Sequence, residues 1–141
     1  DIVFGADLIA GFPTETEQAH ESTMALIEQA ELSHLHVFSY SDREGTPATK
    51  MPKTDPIDIR RRSLALRDAG KKQYEKLVAY HLHRLDEVLL EKSNQGYLRN
   101  FIRVKLSHDE LLPSGYLHKV RIINTHSTGN DGPSVIAELA E

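Results

Sequence analysis

The sequence predicts an α/β segment followed by an all-β domain. An apolar run, a helical pattern and a second apolar run occupy the first 40 residues, in the order of a βαβ unit. A long charged helical pattern follows, and after it come short alternating runs separated by Gly, Asn and Pro turn signals. Hydrophobic residues make up 39% of the 141, so the chain can bury a core, and it contains no cysteine.

The first 40 residues are typical of strand, helix and strand in sequence. The apolar run from Ile2 to Ala10 predicts a parallel strand buried on both faces. Thr14 and Glu17 have the spacing of a capping box, which predicts a helix from about Glu15 to Ala30. The run from Leu35 to Phe38 predicts the second strand. Together they predict one βαβ unit with a right-handed crossover.

A loop over residues 41–56 contains three prolines and leads into a helix predicted from Ile57 to Leu82. Arg61 and Arg62 are predicted to lie on the more polar side of this helix. Residues 56–105 contain 12 basic and 6 acidic side chains. This excess of positive charge fits either a surface that attracts a polyanion or a solvated helix face.

The second half predicts a small antiparallel β-barrel over residues 83–141, with residues 1–82 forming the first domain. Turn signals at residues 94–96 and 113–115 separate its apolar runs. Alternation in one run places Phe101 and Arg103 on one side and Ile102 and Val104 on the other, and the apolar pair is the better candidate for the core. The runs are Val88–Leu90, Phe101–Leu106, Leu117–Ile123 and Val135–Ala137.

Other functional classes find little support in the sequence. His34 with His36, and His81 with His83, lie close together but lack a third ligand at the usual spacing, so we predict no metal site. No catalytic triad or phosphate loop is recognisable. Asp7, inside an apolar run, either points into the mouth of a barrel or pairs with a base.

Three stretches resemble radical-SAM methylthiotransferases. Residues 5–17 (GADLIAGFPTETE) are similar to the fifth strand of their barrel, and residues 36–48 (HVFSYSDREGTPA) to the sixth strand and its loop. Residues 96–104, with Asn100-Phe101, are similar to the signature of the TRAM domain. Thr14 stands where glycine is common in this family. His36-Val37-Phe38 and Met51-Pro52 most resemble the branch that modifies threonylcarbamoyladenosine, rather than those acting on isopentenyladenosine or a ribosomal protein.

The resemblance implies a partial (βα) radical-SAM barrel segment joined to a TRAM/OB-like domain. It implies S-adenosyl-L-methionine (SAM) and two [4Fe–4S] clusters in the parent enzyme, with the cluster cysteines upstream of Asp1. This segment alone is therefore expected to bind no cofactor and to be inactive. The expected location is the cytoplasm. The implied SAM-binding residues are Ile9, Gly11, Phe38, Ser39 and Tyr40. The simpler alternative makes Ile9 and Phe38 core residues and Gly11 a turn residue.

The expected partners are tRNA and the upstream part of the same polypeptide, with no membrane. Positive charges mixed with aromatic rings are typical of surfaces that hold single-stranded nucleic acid. Arg43 suits a phosphate or carboxylate, unless it pairs with Asp42 or Glu44. Because the first strands lose neighbours that a complete barrel would supply, we expect Ile9, Phe12 and Phe38 to be exposed, and the chain either to self-associate through residues 1–40 or to rearrange there. A non-enzymatic RNA-binding module is the alternative of a different class. The predicted RNA-binding residues are Lys92, Tyr97, Arg99, Phe101, Arg103 and Arg43.

Overall fold

The computed structural model describes residues 2–128 and 132–140. The chain divides into two compact units, one formed by Val3–Tyr74 and the other by Ile2 and the described residues from Glu75 onward. The division lies inside the long helix, a few residues before the boundary predicted after residue 82. In the described residues, neither α-helix is long and apolar enough to cross a membrane.

The first unit contains a βαβ arrangement. Strand β1 (Phe4–Ala10) is followed by helix α1 (Glu17–Gln29) and strand β2 (Leu32–Ser39), and the two strands pair in parallel. A short 3₁₀-helix (Pro47–Lys50), which was not predicted, lies in the proline-containing loop. Helix α2 (Pro56–Tyr80) then begins and ends within two residues of its predicted bounds.

The start of α1 differs from the prediction. Thr16, not Thr14, is the N-cap, because its side chain accepts a hydrogen bond from the Ala19 amide at 3.1 Å. Thr14 has φ +71°, and the Glu15 amide closes a turn by donating to the Phe12 carbonyl at 2.9 Å. The capping box predicted for Thr14 is therefore wrong: the turn after Pro13 delays the helix. A left-handed backbone at Thr14 also explains why glycine suits this position.

Helices cover one face of the two-stranded sheet. The residues described place no element over the other face, so β1 is not buried on both faces in this chain, and the expected exposure of Ile9 and Phe38 is confirmed. Ile9 is 57% exposed and Phe38 is 53% exposed on that side. On the covered side, Ala10, Ile27 and Leu66 form the buried core. Partly buried side chains around it are Leu8, Met24, Leu32, Leu35, Val37 and Ala69.

The second unit is a closed barrel of five strands in the part of the chain described. They are β3 (Leu85–Lys92), β4 (Gln95–Leu98), β5 (Arg103–Leu106), β6 (Leu117–Thr128) and β7 (Gly132–Leu139). Their order is β3-β4-β5-β7-β6, and β6 pairs back onto β3. The barrel is not wholly antiparallel as predicted, because β7 lies between β6 and β5 and runs parallel to β5.

The barrel interior follows the predicted alternation. Ile102 and Val104 are fully or almost fully buried, whereas Phe101 and Arg103 are exposed, so the apolar pair is indeed core. Strand β4 was missed because Asn94-Gln95-Gly96 was read as a turn. The turn lies at Ser93 and Asn94, which both have positive φ. Gly96 belongs to the strand, where an added Cβ would lie 1.9 Å from the Leu89 carbonyl oxygen. A glycine inside a strand here marks a close backbone approach.

We predict that the chain self-associates through the open face of the β1–β2 sheet, because exposed apolar groups on an open sheet favour a partner. Size-exclusion chromatography with light scattering should show oligomers at high protein concentration. The double substitution Ile9→Ser with Phe38→Ser should shift the protein to monomer. Leu26→Ser, which removes a similarly exposed side chain from α1, should not. A wild-type monomer at high concentration would contradict the prediction.

Candidate functional site

The carboxyl ends of β1 and β2 lie side by side. Ile9 pairs with Phe38 and Ala10 with Ser39 in the parallel ladder. The Tyr40 amide donates to the Ala10 carbonyl at 2.8 Å and extends this pairing by one residue. The structure therefore brings the predicted cofactor-binding residues together at one edge, which we call the carboxyl edge: Ile9, Gly11, Phe38, Ser39 and Tyr40.

Ile9 and Phe38 are the members of the carboxyl edge with exposed apolar side chains. They are paired across the ladder and lie on the open face, so they present an apolar wall against which a flat ring could pack. Asp7 and His36 are paired two residues earlier on the same face. Asp7 is exposed and has no ion-pair partner among the residues described, so it faces the open side of the sheet.

Gly11 has a structural explanation that needs no ligand. Its φ is +78°, and an added Cβ would lie 2.3 Å from Cγ1 of Ile59 on α2. Its amide donates to Glu15 Oε2 at 2.8 Å. Gly11 thus makes the turn after β1 and allows close packing of α2. These contacts fit the interpretation of Gly11 as a turn residue, while Ile9 and Phe38 are exposed rather than buried in this chain.

Ser39 and Tyr40 also have partners within the first unit. The Ser39 hydroxyl donates to Ser63 Oγ at 3.3 Å. The Tyr40 hydroxyl donates to Asp42 Oδ1 at 2.9 Å, and its ring packs edge-on against Phe12 with centroids 5.5 Å apart. Burial, followed by the hydrogen bond to Asp42, raises the pKa of Tyr40. These contacts fix the backbone where it leaves β2.

Arg43 is exposed in the loop after β2. Asp42 binds Lys53 instead, and this contact is the main reason why the pKa of Asp42 is lowered. Neither of the predicted ion pairs of Arg43, with Asp42 or with Glu44, forms in the residues described. The Arg43 guanidinium therefore remains able to bind an external anion.

Helix α2 contributes an ionic cluster that the sequence did not reveal. Arg62 was predicted to lie on the polar side, but it is only 5% exposed. Its Nη1 donates to Glu15 Oε2 at 2.9 Å, and its Nη2 donates to Glu17 Oε2 at 3.0 Å. Arg61 is exposed and makes a two-pronged contact with the Glu17 carboxylate, at 3.0 and 2.7 Å. The hydrogen bond from Arg61 is the largest factor that lowers the pKa of Glu17 to about 2.

Outward-facing side chains of β4 and β5 form a second candidate surface, which we call the barrel face: Gln95, Tyr97, Arg103 and Lys105. Tyr97 pairs with Arg103, and Gln95 pairs with Lys105. Lys92 lies opposite Gln95 at the end of β3. The barrel face therefore combines an aromatic ring with cations on adjacent strands, as surfaces that bind single-stranded nucleic acid do.

The loop between β4 and β5 carries two more of the predicted RNA-binding residues. Phe101 is 70% exposed and has φ +63°, a conformation that is unusual for a bulky residue. Arg99 is exposed but forms an ion pair with Asp86, with its Nε 3.1 Å from Oδ1. Arg99 is thus less available to a phosphate than the prediction assumed.

Leu89 and Leu117 extend the barrel face and were missed from the sequence. Leu89 pairs with Leu117 on one side and with Tyr97 on the other, and both leucines are exposed. A row Leu117–Leu89–Tyr97–Arg103 therefore crosses β6, β3, β4 and β5. The strand register reveals this row, and the register depends on β4, which the sequence pattern did not show.

His81, one of the eight histidines, has a structural role. His81 is buried, donates through Nδ1 to the Leu77 carbonyl at 2.9 Å, and accepts at Nε2 from the Asn100 amide at 2.8 Å. Within residues 2–128 and 132–140, no three His, Asp or Glu side chains converge as a metal site would require.

Curated relatives of the chain are tRNA-modifying enzymes. It is 45% identical, over 87% of its length, to a threonylcarbamoyladenosine tRNA methylthiotransferase of Rickettsia prowazekii. The chain belongs to the tRNA methylthiotransferase family. Another family member, a tRNA-2-methylthio-N(6)-dimethylallyladenosine synthase of Geobacillus kaustophilus, is 34% identical over 77% of the chain. No family model matches the chain.

A third methylthiotransferase, a probable threonylcarbamoyladenosine enzyme of Methanocaldococcus jannaschii, is 29% identical over 96% of the chain. The chain spans 29%, 21% and 31% of the lengths of these Rickettsia, Geobacillus and Methanocaldococcus proteins, respectively.

The Glu17 contacts predict that the stability of the first unit depends on pH. Because the pKa is about 2 in the folded protein against an ordinary 4.5, the stabilisation is fully present above pH 4.5 and is lost as the pH falls toward 2. Thermal unfolding between pH 6 and 2.5 should show a smaller loss of Tm for Glu17→Gln than for wild type. Glu21→Gln, on the exposed side of α1, should behave as wild type. If Tm falls with pH as steeply in Glu17→Gln as in wild type, the contacts of Glu17 are not the source of the pH dependence.

Proposed function

We propose that the protein is a radical-SAM enzyme that adds a methylthio group to threonylcarbamoyladenosine beside the anticodon of tRNA. The observation that carries this proposal is the 45% identity to the Rickettsia prowazekii enzyme named for that nucleoside. His36-Val37-Phe38 and Met51-Pro52, the residues most similar to that branch, lie at β2 and just after the 3₁₀-helix. We place the reaction in the cytoplasm, with tRNA as substrate.

The carboxyl edge is proposed as one wall of the SAM site. In parallel sheets, ligands bind where the strands end. The residues present fit an adenosine group, since Ile9 and Phe38 offer adjacent exposed apolar surface there. The Gly11 and Tyr40 amides are already hydrogen-bonded, so the contact would be made by side chains rather than by these donors. Ile9 and Phe38 would hold the adenosine group of SAM, which when bound would supply the radical chemistry of the proposed reaction.

These 141 residues have no cysteine to hold either [4Fe–4S] cluster. The proposal therefore requires an upstream part of the same polypeptide that carries the cluster ligands, and it makes this segment inactive alone. The gene supplies a simple check: a Cys-x-x-x-Cys-x-x-Cys sequence encoded upstream of Asp1 would support the enzyme. Its absence would favour the RNA-binding module without catalytic function.

The barrel is proposed as a TRAM-like, OB-like tRNA-binding domain. Five-stranded barrels of the OB type bind oligonucleotides on the face of their second and third strands. Here those strands are β4 and β5, whose outward side chains form the barrel face. Arg103 and Lys105 would contact phosphates, while Tyr97 and Phe101 would stack on bases.

The function is tested by nucleoside analysis of tRNA from a strain that lacks the complete gene. We expect the 2-methylthio form of threonylcarbamoyladenosine to disappear and its unthiolated precursor to remain. The similarity to dimethylallyladenosine synthases makes isopentenyladenosine the second candidate substrate. Loss of its methylthio form instead would select that candidate, and unchanged tRNA would reject both.

RNA binding by the barrel face is tested by charge reversal. Arg103→Glu should weaken tRNA binding by the chain and lower the slope of log affinity against log salt by about one. Lys119→Glu, on β6 opposite Glu87, is the matched control and should have a smaller effect. Fluorescence anisotropy at several salt concentrations measures both quantities. Equal effects of the two reversals would show that the barrel face is not the binding surface.

A further inference from the structure

Arg62 is a buried cation anchored to the loop that follows β1. Its Nη1 donates to the Glu15 backbone carbonyl at 2.8 Å and to Glu15 Oε2 at 2.9 Å. The side chains of Arg62 and Glu15 are 6% and 13% exposed. Contacts with both the backbone and the carboxylate of one residue fix the position of that residue better than a single ion pair would.

The same carboxylate oxygen reaches the carboxyl edge. Glu15 Oε2 also accepts the Gly11 amide hydrogen bond at 2.8 Å, so Arg62 and Gly11 share one acceptor atom. Gly11 is the second residue after Ile9. The direction in which the chain leaves β1 therefore depends on a carboxylate that Arg62 holds in place. We call the contacts joining Arg62, Glu15 and Gly11 the edge clamp.

Residues of α2 and of the loop before it reinforce the edge clamp. Ile59, one turn before Arg62, occupies the space that a side chain at position 11 would need. The Thr54 hydroxyl donates to the Phe12 carbonyl at 3.0 Å. Ser63, next to Arg62, receives the hydrogen bond from Ser39 on the other strand. The start of α2 thus contacts the chain where it leaves each strand.

Net stability is a weak explanation for a buried ion pair. Desolvation of both charges offsets most of their attraction, and apolar residues of similar size often serve stability equally well. Arg62 Nε is moreover buried without a hydrogen-bond partner in the described part of the chain. A buried pair that adds little stability but fixes one geometry is better explained by the need for that geometry.

We propose that Arg62 is a positioning residue for SAM binding, acting through Glu15 on the Gly11–Phe12 turn and hence on the orientation of Ile9. The inference rests on the proposed function, because it takes the carboxyl edge as the SAM site. Arg62 itself does not touch the ligand. Its removal lets the turn move relative to Ile9 and Phe38, and small displacements of binding groups carry large costs.

The test uses the complete enzyme with its clusters reconstituted. Arg62→Met should raise the Kd for SAM by roughly tenfold or more. Arg62→Lys, which keeps the charge but has a single donor group, should recover part of the affinity. Arg61→Met is the matched control: Arg61 is adjacent and also binds Glu17, but it is exposed and does not contact Glu15. It should change the Kd by less than about twofold.

Two further measurements separate positioning from general damage to the fold. Hydrogen exchange without SAM should accelerate in the peptide covering Gly11–Thr16 of Arg62→Met, with exchange in α1 unchanged. Glu15→Gln should weaken SAM binding as Arg62→Met does, and the double variant should be no worse than the poorer single variant, because both act through the same contact.

Three results would overturn the inference. They are an unchanged SAM affinity in folded Arg62→Met, an equal loss of SAM affinity in Arg61→Met, or additive losses of SAM affinity when Arg62→Met is combined with Glu15→Gln. If the exchange experiment shows a loosened turn while the wild-type enzyme binds no SAM, the edge clamp exists but the proposed cofactor site is wrong. If hydrogen exchange is unchanged and the wild-type enzyme binds SAM, the proposed SAM site is retained and the proposed role of Arg62 is wrong.

Discussion

The first unit depends on one constraint: in the residues described, helices cover only one face of its two-stranded parallel sheet. Helices α1 and α2 bury Ala10, Ile27 and Leu66 against one side. The other side keeps Asp7, Ile9, His36 and Phe38 exposed. In a sheet, apolar groups left uncovered are normally buried by a further layer or by a ligand. The exposed face therefore connects the fold to both proposed partners, the upstream polypeptide and SAM.

Close packing of α2 on the carboxyl edge follows from small and polar side chains. Gly11 allows Ile59 to approach the turn, and Arg62 places a charged group where apolar packing would otherwise be expected. The arrangement gives up hydrophobic contact for hydrogen bonds to specific atoms. Such an exchange fixes direction rather than adding stability, and a binding edge requires a fixed direction.

Local patterns predicted much of the fold. The bounds of α2, the parallel pairing of β1 with β2, and the inward Ile102 and Val104 all follow from short-range periodicity. The parallel pairing of β7 with β5 could not be predicted, since it depends on contacts far apart in sequence. Gly96 was predicted to lie in a turn. The close approach of the Leu89 backbone, which explains a glycine inside this strand, cannot be inferred from the sequence.

The candidate site was predicted in part for the same reasons. Strand order alone brings Ile9, Phe38 and their neighbours to one edge, so the carboxyl edge could be predicted from the sequence. Burial of Arg62 was not, because its helical position suggested solvent and its partner Glu15 lies 47 residues away. Leu89 and Leu117 on the barrel likewise required the strand register. Burial and register are properties of the assembled fold, and single-sequence patterns record them weakly.

The most direct measurement is photocrosslinking of the complete, reconstituted protein with an azidoadenine analogue of SAM, followed by peptide mapping. The account predicts adducts in the peptides that contain Ile9–Phe12 and Phe38–Tyr40, suppressed by excess SAM. Adducts that compete with SAM but lie wholly outside these two segments would contradict the assignment of the carboxyl edge as the adenosine-binding wall.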